Sequence, residues 1–266
     1  MKRFALAMIA LGWLGHPAAA ADSQIAPGGT LRAVYLATNP AQAVRDPATG
    51  TVRGASFDLA NELAKRTGLP LAFEPAPNPP AVIAAIKDGQ GDIGFVAYEA
   101  TRLGTVAFSQ TYMLVQQSFL VLDTSSIHAV RDIDRAGQKI GGTKNDSMAL
   151  CLQRILKQAS LVEIENNNAE ITKRMAAHEI DAIGANRQRL TTLMKEITGS
   201  RPLPDNLFDV PQNIIVPLGR PQALTAVNAF IDDVRASGFL RSAIENSGVV
   251  GVAPAPPSAG HQGCPG

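Results

Sequence analysis

Strand-like and helix-like stretches alternate twice along this chain, and that alternation leaves few folds open, because strands separated by helices must pair in parallel. In the first round Leu31 to Leu36 reads as a strand, and Phe57, Ala60, Leu63 and Ala64 then recur at helical spacing up to Gly68, a residue suited to a left-handed cap. Leu71 to Glu74 reads as a short strand. Pro79-Pro80 can open a helix whose Val82, Ile83 and Ile86 face the core until Gly89, and Asp92 to Ala97 is the third strand. In the second round Lys139 to Gly141, Leu161 to Ile164 and Asp181 to Gly184 are strands, with helices at Asp146 to Gln158 and Ala169 to Ala177 between them. The stretch Phe108 to Leu122 is too long for an ordinary strand of ~5–6 residues, so it is expected to cross from one lobe to a second. Asn213 to Pro217 returns to the first lobe, and helices at Pro221 to Ala236 and Phe239 to Ser247 close the fold. The turn chemistry of Arg45-Asp-Pro-Ala-Thr-Gly50 marks a solvated hairpin tip.

One stretch concentrates chemistry at a strand end. Ile93 to Ala97 emerges from Asp88-Gly-Gln-Gly91 and delivers Tyr98, Glu99 and Arg102 at its carboxyl end, where open α/β sheets bind ligands. The run Asp92-Ile-Gly-Phe-Val-Ala-Tyr-Glu-Ala-Thr-Arg102 followed by Val106-Ala-Phe-Ser109 resembles the extracytoplasmic solute-binding proteins of polar amino-acid importers, family 3. Further similar motifs occur in order: Gly54-x-x-Phe57-Asp58-Leu59, Ile140-Gly141, Ile180-Asp181-Ala182 and Ala236-Ser-Gly238-Phe-Leu. The resemblance implies an α/β, two-lobed periplasmic binding protein of type 2, each lobe a mainly parallel sheet flanked by helices, joined by two hinge strands. It also implies a division into residues 22–118 and 216–252 for the first lobe and 119–215 for the second. Capture of a small carboxylate solute by hinge closure, and delivery to an inner-membrane ABC permease, are the expected function.

Composition bounds the rest. With 266 residues, 45% of them hydrophobic and 18% charged, the chain suits a two-domain globular protein that buries real cores. Met1-Lys2-Arg3, the apolar Phe4 to Leu14 and Pro17-Ala-Ala-Ala-Ala21 have the three regions of a secretory signal, with cleavage expected after Ala21 and a periplasmic destination. The apolar stretch is short of the ~20 residues of a membrane span. Without Lys2 and Arg3 there remain 22 basic and 23 acidic residues, which argues against nucleic acid as a partner. A monomer without cofactor is expected. His128, His178 and His261 stand apart from one another and from both cysteines, so no metal-ligand spacing is seen.

The candidate ligand-binding residues are Arg102, Tyr98, Asp146, Ser147, Asn186, Asn39 and Ala97. A guanidinium can hold a carboxylate by two parallel charge-assisted hydrogen bonds that Lys cannot reproduce, and the resemblance assigns Arg102 that role toward an α-carboxylate. Ala97 stands where the family often has a hydroxyl, leaving backbone amides or Tyr98 to replace it. Tyr98 is equally readable as core, and Glu99 as solvated. Asp146 and Ser147 precede a helix, so either can be its N-cap, and the helix terminus can also face an anion. Asn186 stands where many family members place the acid that receives an α-ammonium. Either Asp146 supplies that charge or the solute lacks the amino group. Polar Asn39 or Gln42 replaces the aromatic residue that often stacks on the ligand. An enzyme on the same scaffold, similar to a cyclohexadienyl dehydratase, is the alternative, with Glu99 or Asp146 as general acid; a ligand-sensing accessory protein is another.

Cys151 and Cys264 are able to pair in an oxidising compartment. The plainer expectation is that Cys151 is a small buried apolar residue and that Cys264 lies in a disordered Pro/Gly-rich tail, residues 253–266.

Overall fold

The computed structural model describes residues 24–265 apart from 258 and 262; the expected signal segment lies outside the described residues. Strand β1 (Leu31–Leu36) leads to a two-stranded hairpin, β2 (Val44–Arg45) and β3 (Val52–Arg53), as the turn chemistry between them requires. Helix α1 (Ala55–Thr67) ends on Gly68 at φ 69°, the left-handed cap read from the sequence. Next come β4 (Leu71–Ala76), α2 (Pro79–Lys87) and β5 (Ile93–Ala97). Asn78 caps α2 by accepting from the Ala81 amide at 2.9 Å, ahead of the two prolines that need no intrahelical partner.

The 17-residue β6 (Val106–Leu122) carries the chain to the second lobe. There β7 (Lys139–Thr143), α3 (Ser147–Ile155), β8 (Ser160–Ile164), α4 (Asn168–Ala176) and β9 (Ala182–Asn186) repeat the first alternation. Helix α5 (Arg187–Glu196) and the short β10 (Ser200–Pro202) follow, and β11 (Phe208–Pro217) crosses back to α6 (Pro221–Ala236), α7 (Phe239–Asn246) and β12 (Val252–Pro254).

Strand β1 pairs in parallel with β4 and β5, and β7 in parallel with β8 and β9, so each lobe has a parallel core. Antiparallel β6 and β11 join the two into one path, β4-β1-β5-β11-β6-β9-β7-β8. Strand β11 lies along β6 with register shifts around Asn213, where the Ser109 hydroxyl accepts from the Ile214 amide in place of a ladder bond. These two strands carry the chain from one lobe to the other and back.

Both faces of each parallel core are covered, as sheets of this kind require. In the first lobe Tyr35, Phe73, Phe95 and Tyr112 pack with Leu59 and Leu63 of α1 and Val227 and Ile231 of α6, while Val82 and Ile86 of α2 cover the other face with Val34 and Ile215. In the second, Met148 and Leu152 of α3 pack on Phe119 and Ile140, and Ile171 of α4 and Leu190 of α5 on Ile164 and Ile183. Buried Asp92 holds the start of β5 to β1 by accepting from the backbone amide and guanidinium of Arg32 at 2.8–3.0 Å. Among the described residues no helix is long and apolar enough to cross a membrane.

Three expectations need correction. Helix α3 stops at Ile155, short of Gln158, because the Asp134 carboxylate takes the amide hydrogens of Lys157, Gln158 and Ala159 at 2.8–3.0 Å and draws the chain out of the helix. The cysteines do pair: Cys151 in α3 is bonded to Cys264, with Cα atoms 5.5 Å apart. The tail is therefore not free. Strand β12 pairs with Val115–Met113 on the edge of β6 opposite β11, the Ala255 amide donates to the Tyr112 carbonyl, and Thr111 donates to the Gly260 carbonyl. The His261 ring stacks on Tyr98 with centroids 4.2 Å apart before the chain reaches the disulfide. Composition flags such a segment as unstructured, but one covalent link and one edge strand hold its described residues in place.

Candidate functional site

Strand β5 ends at Ala97 and the chain turns through a short 3-10 segment, Ala100–Arg102, which aims the guanidinium of Arg102 back toward the strand. Arg102 is only 7% exposed. Its Nη1 donates to the Ala97 carbonyl at 2.7 Å and its Nη2 to the Asn145 carbonyl at 2.9 Å. Asn145 belongs to the second lobe, where it takes a left-handed φ of 62° just before α3. Arg102 thus spans the seam between the lobes.

On the far side of that seam Asp146 caps α3, its Oδ1 accepting from the Ser147 amide at 2.7 Å. The Ser147 hydroxyl is buried and lies near Glu99. Asn186 caps α5 by accepting from the Arg189 amide at 2.8 Å, and its Nδ2 donates across the seam to Asn39 Oδ1 at 3.1 Å. A second crossing runs from Asn166 Nδ2 to Thr38 Oγ1 at 2.8 Å and to the Pro77 carbonyl at 2.7 Å. Between these contacts lies a polar cavity of about 20 Å³, lined among others by Asn39, Thr143, Asp146, Asn186 and Arg189. That volume holds roughly one water molecule.

The structure thus brings together Asn39, Asp146 and Asn186, while Ala97 anchors Arg102 through its carbonyl and Ser147 follows Asp146 at the start of α3. Tyr98 stands apart from them. It packs edge-on against Phe108 and lines a different cavity, of about 670 Å³, with Glu99, Arg154, Pro211 and His261. Glu99 is buried rather than solvated, and Arg154 approaches it at 3.4 Å from a half-exposed position.

Arg189 was not anticipated from the sequence. It is 5% exposed, with Nη1 donating to Thr143 Oγ1 at 2.9 Å and Nε and Nη2 both donating to Asn168 Oδ1 at 3.0–3.1 Å. The signal was its place: a helix whose first turn carries Arg187 and Arg189 and no acid runs against the helix dipole, so one of them needs another purpose.

Burial lowers the pKa of both Arg102 and Arg189, and the Asp146 charge partly restores each. Both remain cationic, since a guanidinium does not deprotonate in proteins. Burial also pushes the Glu99 carboxyl up, against the pull of Arg102 and Arg154. A carboxyl raised in the folded state binds its proton more tightly folded than unfolded, so stability is retained below the ordinary Glu value and falls as pH rises through the raised one. Glu99→Gln is therefore expected to gain stability over the parent chain between about pH 4 and neutrality, with no gain below about pH 4. Urea unfolding at several pH values measures this, and parallel pH profiles for the two chains would assign the titration elsewhere.

The chain belongs to the bacterial extracellular solute-binding proteins, family 3, whose sequence profile matches residues 31–246. Membership implies a secreted or periplasmic protein, and members of the family are mainly binding proteins. The glutamine-binding protein of Geobacillus stearothermophilus is 27% identical over 178 residues, covering 64% of this chain and 66% of that protein. The match thus spans about two thirds of the length of that curated relative. Among solved structures, a binding component of an ABC transporter from Wolinella succinogenes complexed with lysine superposes with a TM-score of 0.71 at 21% identity, over 82% of this chain and 95% of that one. An ancestral amino acid-binding protein, a precursor of cyclohexadienyl dehydratase, gives 0.70 at 23% identity over 85% and 97%. At these identities the superpositions establish the two-lobed fold.

Proposed function

We propose that this chain is the periplasmic solute-binding component of an ABC importer. It captures a small amino-acid-like carboxylate between its lobes, closes about β6 and β11, and presents the solute to an inner-membrane permease as a monomer without a catalytic step. Residues 22–118 and 216–252 form the lobe that contributes Arg102, Ala97, Tyr98 and Asn39, and 119–215 the lobe that contributes Asp146, Ser147 and Asn186. The observation that carries the reading is the seam itself. Polar groups from both lobes meet around a cavity too small for any amino acid, so the described arrangement is closed and a solute enters only when the crossing strands flex. Solute contacts made from both sides then favour the closed state over the open one.

A thermal-shift screen across amino acids, their deaminated analogues and small carboxylates tests this. A true solute at ~100 times its Kd stabilises the folded chain by ~2.7 kcal/mol and raises Tm. Small-angle scattering is expected to show a more compact particle with that solute present. No shift with any member of the panel would overturn the reading.

A second reading, a dehydratase on this scaffold, draws on buried Glu99, whose raised carboxyl suits a general acid. Glu99 and Asp146 line different cavities, however, so the two acid candidates do not converge on one substrate position. Incubation with prephenate or arogenate, followed for loss of carboxylate and water, distinguishes enzyme from carrier.

A further inference from the structure

The carboxyl-terminal segment ties the two lobes together covalently, and what that does to hinge motion is an inference that rests on the two-lobed carrier reading above. Its path has fixed points on both sides of the seam. Strand β12 runs along Met113–Val115, the Ala255 amide donates to the Tyr112 carbonyl and the Gly260 carbonyl accepts from Thr111, all on the first-lobe part of β6. The His261 ring then stacks on Tyr98 with centroids 4.2 Å apart, and its Nε2 lies 3.1 Å from the Ser109 carbonyl. Beyond it Gly263 passes over β11, so close that a Cβ added there would lie 3.0 Å from Pro211 Cδ. At the next position the segment is bonded to wholly buried Cys151 of α3 in the second lobe, with Cα atoms 5.5 Å apart.

From its last first-lobe anchor, His261, to its second-lobe anchor, Cys264, the chain takes three steps of ~3.3–3.6 Å, a reach of about 11 Å at full stretch. The other ties across the seam are hydrogen bonds and an ion pair, Arg102 to Asn145, Asn186 to Asn39 and Arg154 to Glu99, and each can break and re-form singly. The disulfide cannot. We propose that this segment is a tether that limits how far the lobes part, so that an intact Cys151–Cys264 bond holds the unliganded chain near its closed arrangement. The limit is graded. Parting strips His261 from Tyr98 and Ser109 first and Gly260 from Thr111 next, and each step lengthens the free tether at the cost of a contact. Cys264 lines the open cavity of about 670 Å³, which gives a dithiol access to that end of the bond. Reduction passes two electrons and two protons from the dithiol, which becomes a disulfide, to Cys151 and Cys264, which become thiols, and the tether is released.

Small-angle scattering of the unliganded mature chain separates a tether from a plain staple. The samples are the oxidised parent, the parent reduced with dithiothreitol, Cys264→Ser, and a variant with a flexible Gly/Ser insertion of about six residues between Gly263 and Cys264, which triples the reach. The insertion keeps the bond, as an assay for free thiol verifies. Lengthening so large a closed loop by a few residues hardly changes its entropy, so the urea midpoint of this variant is expected to match that of the oxidised parent. The oxidised parent is expected near ~18 Å, the radius of gyration of a compact chain of this length, and the other three above it. His261→Ala, which removes one anchor and keeps the bond, is expected to fall between. A freed tail itself adds to the radius in the reduced and serine samples, so the lengthened variant, whose tail stays held at both ends, decides. The same insertion at Ala48, in the exposed hairpin tip, controls for added mass. Urea curves confirm that each sample is folded. A lengthened variant as compact as the oxidised parent overturns the proposal even if Cys264→Ser is expanded, because the bond then acts on stability alone, and equal radii throughout overturn it as well. No solute enters this measurement: the expected radii together with silence in the thermal-shift panel uphold the tether and overturn only the carrier reading.

Discussion

Arg102→Ala is expected to weaken solute binding by ~2–5 kcal/mol, the cost of truncating one partner of a buried, hydrogen-bonded charge pair. Two effects contribute. The solute carboxylate loses its cationic partner, and the seam loses the one side chain that donates at once to Ala97 in the first lobe and Asn145 in the second. The second effect acts on the protein alone, because the carbonyls of half-buried Ala97 and exposed Asn145 lose their donor, at a cost below the ~1–3 kcal/mol of a fully buried group since water reaches them. The unliganded Arg102→Ala chain is therefore expected to populate the open form more than the parent, visible as a larger radius of gyration. Arg102→Lys separates the effects. A lysine brings the charge but lacks the planar fork that reaches two carbonyls at once, so part of the affinity returns while the open population stays raised. Unchanged affinity in Arg102→Ala, measured by calorimetry, would remove Arg102 from the site.

What could be read from the residues alone follows from how local each signal is. Strand, helix and cap are decided within a few positions, so α1 ending on Gly68, α2 opening at Pro79 and α6 spanning Pro221–Ala236 were all legible. The length of β6 announced a crossing between lobes. Features set by distant partners were not legible. Helix α3 ends early because Asp134, more than twenty positions upstream, takes the amides that would continue it. Arg189 sits in a polar helix with no apolar stripe strong enough to draw notice, and only the folded chain shows its burial against Thr143 and Asn168. The site shows the same division. Asn39, Asp146 and Asn186, picked as candidates by their places after strands, line one cavity, whereas Tyr98 was drawn away to His261 by a tail whose path no local pattern encodes.

That tail supplies the second large effect. Cys151 is wholly buried in α3 of the second lobe, and the segment leading to Cys264 is hydrogen-bonded to the first-lobe part of β6, so the disulfide closes a covalent strap across the lobe junction over a sequence separation of 113 residues. Closing a loop of that order removes denatured-state entropy worth about 4.7 kcal/mol in the chain-entropy model, and measured losses on deleting native disulfides run ~2–5 kcal/mol. Cys264→Ser is expected to lower the unfolding free energy by ~2–5 kcal/mol in urea titrations. Cys151→Ala is expected to lose the same amount plus a smaller packing term, because its sulfur fills the core formed by Met148, Leu152 and Phe119. The double variant then resembles Cys151→Ala alone rather than the sum of the two, since either change removes the same bond. Reduction of the parent chain gives the thermodynamic counterpart: a reductant lowers its midpoint to that of Cys264→Ser and leaves the variant where it was. Equal midpoints for the oxidised parent and Cys264→Ser would mean that the strap adds nothing beyond the contacts of β12 and His261, which persist without it.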